Sequence, residues 1–131
     1  MNKVIFGSVI LTLLFSNIAN AASYLCVGEA GAGVLNTVDN RIYSELVNVT
    51  ANKFILSDES GEWKVTELGK NNPIFDDCLG GPGYVCVMTG GGYGGAFMRN
   101  DNGIFSVTWL GANEKKDEGL YVLKGRCSKF N

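Results

Sequence analysis

Four cysteines, Cys26, Cys78, Cys86 and Cys127, constrain this chain more than any other feature. All four lie downstream of an N-terminal segment built like an export signal, and an even count in a small exported chain implies two disulfides with three possible pairings. Zinc is the rival use of four cysteines. The chain has no histidine and no C-x-x-C, and an oxidising destination favours disulfides over a thiolate metal site. The preferred pairing is Cys78–Cys86, a local clip across a glycine loop, with Cys26–Cys127 running from the first strand to the last. A link closing about a hundred residues is worth about 4–5 kcal/mol from chain entropy, comparable with the whole stability of a small domain.

The export signal has three parts. Lys3 supplies the positive end, Val4 to Phe15 is an apolar run of twelve residues, and Ala19-Asn20-Ala21 offers a small-x-small cleavage site. A retained membrane anchor would need roughly 18 apolar residues, and Ser16-Asn17 ends this run sooner. Cys26 lies beyond the cut rather than at it, so no lipid anchor is expected. Residues 1–21 therefore read as a signal peptide and residues 22–131 as one periplasmic or secreted domain without a membrane span. Loss of Lys3 leaves ten basic against thirteen acidic residues, a net charge of −3. No basic cluster exists to meet a phosphate backbone, which argues against nucleic acid.

Glycine punctuates the chain, with eight between Gly80 and Gly95. That density breaks helices and points to strands and tight turns. Glu62-Trp63-Lys64-Val65-Thr66 alternates so that Trp63 and Val65 share a core face, and Phe105, Val107 and Trp109 do the same. Asn100-Asp101-Asn102-Gly103 reads as a hairpin turn, because these residues tolerate positive φ; Asp58-Glu59-Ser60-Gly61 reads likewise. Further strands are expected at Tyr24–Gly28, Gly33–Thr37, Phe54–Ser57, Tyr84–Met88, Gly95–Arg99 and Leu120–Cys127. Asp39 to Val49 fits a strand or a single helical turn. The sum is an all-β domain, a single small antiparallel β-barrel or sandwich of about eight strands with two disulfides. Bridging Cys26 to Cys127 would seal its first strand to its last.

Without histidine, neither Ser-His-Asp nor Cys-His nucleophile activation is available. The pairs Asp58-Glu59, Asp76-Asp77 and Asp117-Glu118 read as solvated turn charges rather than carboxylates facing each other across a cleft. The G-x-G-x-x-G at Gly90 to Gly95 leads into a strand instead of opening a helix, so it is no dinucleotide site. Asn100 to Gly103 is a turn rather than a calcium loop, and Asn48-Val49-Thr50 fits a glycosylation triplet, but the signal segment reads as bacterial, where this triplet usually carries no meaning. No enzyme activity and no cofactor are expected. A small carboxylate-dependent hydrolase and a structural envelope protein are the alternatives to a binding domain.

Binding would fall to loops on the stapled scaffold. Tyr93 stands alone among glycines in Thr89–Gly95, either as an interface anchor or as a cap on the core. Two resemblances bear on the choice. Cys26, Lys53-Phe54-Ile55, Trp63-Lys64-Val65, Cys78, Cys86 and Gly125-Arg126-Cys127-Ser128 resemble a pattern in small exported proteobacterial β-proteins ending in G-x-C-S, which carries no activity across. Tyr24-Leu25-Cys26, Thr89-Gly90-Gly91-Gly92-Tyr93 and Cys127 are similar to motifs of the periplasmic inhibitors of c-type lysozyme, small antiparallel barrels whose S-G-x-x-Y loop enters the lysozyme cleft. That resemblance implies a protein partner such as a lysozyme, with Thr89 and Tyr93 on the contact loop. The acidic balance would speed encounter with a basic target. Oligomeric state is left open.

Overall fold

A computed structural model describes residues 22–59, 61–81, 84–88 and 95–130; the expected signal peptide, Thr89 and Tyr93 lie outside them. The described residues form β1 (Ser23–Asn36), β2 (Ile42–Leu46), β3 (Lys53–Glu59), β4 (Glu62–Glu67), β5 (Asp77–Leu79), β6 (Val85–Val87), β7 (Ala96–Arg99), β8 (Ile104–Ala112) and β9 (Glu118–Lys129). All pairings are antiparallel, in the order β4-β3-β1-β9-β8-β7-β6-β5, with β2 joined to β1 outside this path. Eight strands thus curl into a nearly closed barrel. Its seam is closed by Val65, whose N–H donates to Phe75 O at 2.8 Å while its carbonyl accepts from Ile74 N at 2.7 Å.

Both disulfides pair as expected, Cys26–Cys127 and Cys78–Cys86, and no described cysteine is free. Each joins residues directly opposite in register, on β1–β9 and on β5–β6. The long bridge does link first strand to last, but those strands are hydrogen-bonded neighbours inside the sheet. The edges that need closing belong to β4 and β5. Two disulfides place the protein outside the reducing cytoplasm, and no described helix is long and apolar enough to cross a membrane.

The core follows the period-two alternation of the strands. Cys26, Phe54, Leu56, Val65, Phe75, Cys86, Phe97, Phe105, Val107 and Leu123 pack inside, with Phe97 stacked on Phe105 at 5.5 Å and Phe54 edge-on to it at 6.0 Å. Gly125 is inward-facing where β1 crosses close by. A Cβ there would sit 1.9 Å from Val27 O and 2.7 Å from the Phe105 ring. A Cβ on Gly119 would sit 2.2 Å from Val34 O. The Gly28–Gly33 stretch, which separates two expected strands, is instead the middle of β1, irregular only where the register shifts between Gly28 and Ala30.

β2 settles the ambiguous segment as a strand. It pairs with the C-terminal half of β1, as β3 pairs with the N-terminal half. Between β2 and β3 a 3-10 turn spans Val49–Ala51, with Asn48 accepting from Thr50 N, so the glycosylation triplet serves as a cap. The second half of β1 therefore joins β2, β9 and β8 in a four-stranded extension beyond the barrel. On its inner side Trp109 stacks on Tyr121 at 5.2 Å. Tyr43 OH donates to Asp117 at 2.6 Å and accepts from Asn113 Nδ2 at 2.9 Å. Asp117 is buried, not the solvated turn charge expected from its neighbour Glu118.

Two substitutions separate close approach from turn geometry. Gly125→Ala, driven into backbone, is expected to cost about 3 kcal/mol or more, whereas Gly61→Ala, at φ 82 with open space around it, costs about 1–2 kcal/mol. Urea denaturation checks both. Tyr43 has its ionisation pushed above the ordinary value of 10.0, chiefly by the Asp117 hydrogen bond and then by desolvation. Its contribution to stability is present below pH 10 and disappears as pH rises through the raised value, so Tyr43→Phe is expected to flatten the alkaline loss of stability.

Candidate functional site

The barrel has one end at which polar groups occupy core-facing positions. On β3 and β4, Leu56 and Val65 are fully buried partners, so the next pair on the same face, Asp58 and Trp63, points inward at the rim. Tyr24 stands opposite Leu56 on β1 and shares that face. On β7, Arg99 lies two residues past the fully buried Phe97. Its N–H donates to Tyr84 O at 3.2 Å. The side chains meet. Tyr24 and Trp63 ring centroids are 6.0 Å apart, and the Arg99 guanidinium carbon lies 4.4 Å from the Tyr24 ring centre, within cation–π range.

Two glycines make room for this cluster. A Cβ on Gly80 would lie 2.9 Å from the Tyr84 ring, and one on Gly81 would lie 3.2 Å from Trp63 Nε1. Tyr84 OH donates to Asp101 in the β7–β8 hairpin turn, which draws that turn toward the rim. Beside Trp63 a groove of about 520 Å³ is lined by Glu62, Asp76, Asp77, Gly80 and Gly81. The rim is therefore aromatic and predominantly acidic, with Arg99 as its inward cation.

Two side-chain atoms among the described residues are buried without a hydrogen-bond partner, Asp58 Oδ1 and Arg99 Nε. Both belong to this end. Leaving a buried polar group unpaired costs about 1–3 kcal/mol, more for a charged one, so such atoms concentrate where something else completes them. The arrangement holds an unpaired carboxylate oxygen and an unpaired guanidinium nitrogen at one end of the barrel, both sealed from solvent, beside the Trp63 and Tyr24 rings.

Sequence reasoning missed this end. Asp58 reads as a turn charge, but β3 runs through it to Glu59. The signal lay in the alternation: Asp58 keeps phase with Phe54 and Leu56, and Arg99 keeps phase with Phe97. A charged residue in core phase at the end of a strand is the mark of a polar rim. The expected loop residues, Thr89 and Tyr93, follow β6, which runs from Tyr84 away from this end, and precede β7, which returns to Arg99. Its flanks, Val87 and Ala96, are paired at the opposite end of the barrel. The four cysteines, by contrast, are brought together in the two expected pairs.

Tyr84 reports on the rim. Its hydrogen bond to Asp101, together with the charge of that carboxylate, holds its ionisation above the usual 10.0. In a spectrophotometric titration Asp101→Asn is expected to bring one tyrosine back toward the ordinary value without unfolding the protein; an unchanged titration would mean that the Tyr84–Asp101 contact does not persist in solution. No family model, curated protein or solved structure matches the chain, so the chemistry of this end rests on its own residues.

Proposed function

We propose that the protein is an exported, non-enzymatic binding domain, periplasmic or secreted, that engages a basic protein at the Asp58–Trp63 end of the barrel. The observation that carries this is Asp58 Oδ1, buried without a partner beside Trp63. A lysine or arginine of the partner would pair with the Asp58 carboxylate while lying against the indole face, its entry opening the rim around the buried oxygen. Glu62, Asp76 and Asp77 along the adjoining groove add a field of the complementary sign. The imidazole that commonly serves as base in a nucleophile-and-base enzyme has no counterpart here, since the chain has no histidine. The most specific form of the proposal is inhibition of a c-type lysozyme, a basic protein; the resemblance at Tyr24-Leu25-Cys26, Thr89–Tyr93 and Cys127 supports that partner but implies contact through the Thr89–Tyr93 loop, so it does not support the rim as the contact.

Titration of the oxidised protein into lysozyme, read as lost activity and as heat of binding, tests this. Inhibition at micromolar concentration is expected, weakened about tenfold by Asp58→Asn, which keeps the shape of the side chain, and reduced by added salt. Tyr93→Ala tests the alternative contact: if it alone abolishes inhibition, the partner binds through Thr89–Tyr93 and the rim is not the site. Absence of binding to lysozyme and to other basic proteins contradicts the proposal.

A further inference from the structure

The four-stranded extension carries a second surface, independent of the barrel rim. Register places Leu46, Ala32, Val122 and Thr108 in one row across β2, β1, β9 and β8, and Ser44, Val34, Leu120 and Leu110 in the next. A third row begins with Ile42. Leu46 is 89% exposed, Ile42 78%, Val34 57% and Leu120 51%. Single exposed apolar residues are ordinary, but a contiguous field of them on one sheet face, here with shallow hollows lined by Val34, Leu110 and Leu120 and by Ala32, Leu46 and Val122, marks an interaction surface. The opposite side of the same strands is packed by Leu35, Tyr121 and Trp109, so these side chains cannot turn inward.

The charges at the margin identify the occupant. Within the outward stripe of β9 the order is Glu118, Leu120, Val122, Lys124: an acid at one end, a base at the other, and only apolar side chains between. The outward stripes of β8 (Thr108, Leu110, Ala112), β1 (Ala32, Val34, Asn36) and β2 (Ile42, Ser44, Leu46) carry no charge. Arg126, next along β9, is already neutralised by Glu29, with Nη1 at 2.7 and 2.9 Å from the two carboxylate oxygens. This pattern is complementary to itself when inverted. A two-fold axis lying between two copies and perpendicular to β9 sets the strands antiparallel and brings Glu118 of each against Lys124 of the other, with Leu120 and Val122 meeting at the centre. A two-fold axis parallel to the strands would instead oppose like charges.

We infer that this face is the interface of a symmetric homodimer, two copies packed sheet to sheet through the β2-β1-β9-β8 extension with β9 antiparallel to its counterpart. Aligned sheets pack in this way about 10 Å apart. Strands about 4.8 Å apart with about 3.3 Å per residue give the face a footprint of roughly 20 by 20 Å, which with its side chains hides on the order of 600–800 Å² per copy. That approaches the roughly 800 Å² per partner of a stable interface. The rim at Asp58 and Trp63 lies at the far end of the barrel, so a dimer leaves two such ends free for ligand.

Sedimentation equilibrium on the oxidised protein recovered by export is the test. The expected result is a mass moving from one chain to two with concentration, with dissociation at micromolar levels. Leu120→Asp is expected to leave a folded monomer, since Leu120 faces solvent in the single chain. Glu118→Lys is expected to weaken the dimer about tenfold, and adding Lys124→Glu to it to restore the affinity within a few-fold. A protein monomeric at hundreds of micromolar overturns the inference, whether the face proves to bind vesicles or nothing. A dimer indifferent to Leu120→Asp overturns it too. A dimer lost with Leu120→Asp but not rescued by the double reversal overturns the antiparallel arrangement.

Discussion

The pairing of β1 with β9 is the interaction on which the rest of the molecule depends. It runs from Tyr24↔Lys129 to Asn36↔Glu118 and carries the Cys26–Cys127 bridge near one end. Hydrogen bonds between chain ends are entropically expensive to form, and the covalent link removes much of that cost from folding. Both halves of the ladder are used differently. The half holding the disulfide lies inside the barrel, where Cys26 and Leu123 are fully buried. The other half leaves the barrel and supports β2 on one side and β8 on the other.

That division explains why the glycines cluster as they do. Where β1 and β9 cross within the barrel, Gly28 and Gly125 face each other, and the space their missing side chains leave is filled by Leu123 and Phe105. Farther along, Gly33 accommodates the Tyr121 ring, which in turn stacks on Trp109. Large side chains on one strand are thus matched by none on its neighbour. This is how a small barrel reaches interior packing density without strained rotamers.

Much of this was legible in the sequence. The hairpin turn at Asn100–Gly103 and the core faces of Phe105, Val107 and Val65 follow from turn chemistry and alternation, and the disulfide pairs from spacing and compartment. Gly28–Gly33 was not legible, because a glycine required by a close neighbour looks in sequence like a glycine required by a turn. β2 was ambiguous for a related reason: an edge strand with one side open has no full alternation to display, and Ile42 and Leu46 stay exposed. The rim is hidden in the sequence because Asp58 reads as a turn charge and Arg99 only as the end of a strand, not as residues in phase with Leu56 and Phe97. Asp117 is the same error at the other end of the molecule, a carboxylate buried by a tyrosine 74 residues away.

Native-state hydrogen exchange, followed amide by amide, tests the dependence on β1–β9 most directly. The amides paired between Val27 and Arg126 and between Ala32 and Val122 are expected to exchange only by global unfolding, in the slowest class of the protein. Those of β2 and β5, at open edges, should exchange faster through local opening. Replacing Cys26 and Cys127 by serine should lower the protection of barrel and extension together. If β5–β6 with Cys78–Cys86 proves the slowest region instead, or if the extension keeps its protection when the Cys26–Cys127 bridge is removed, the β1–β9 ladder is not what holds the structure.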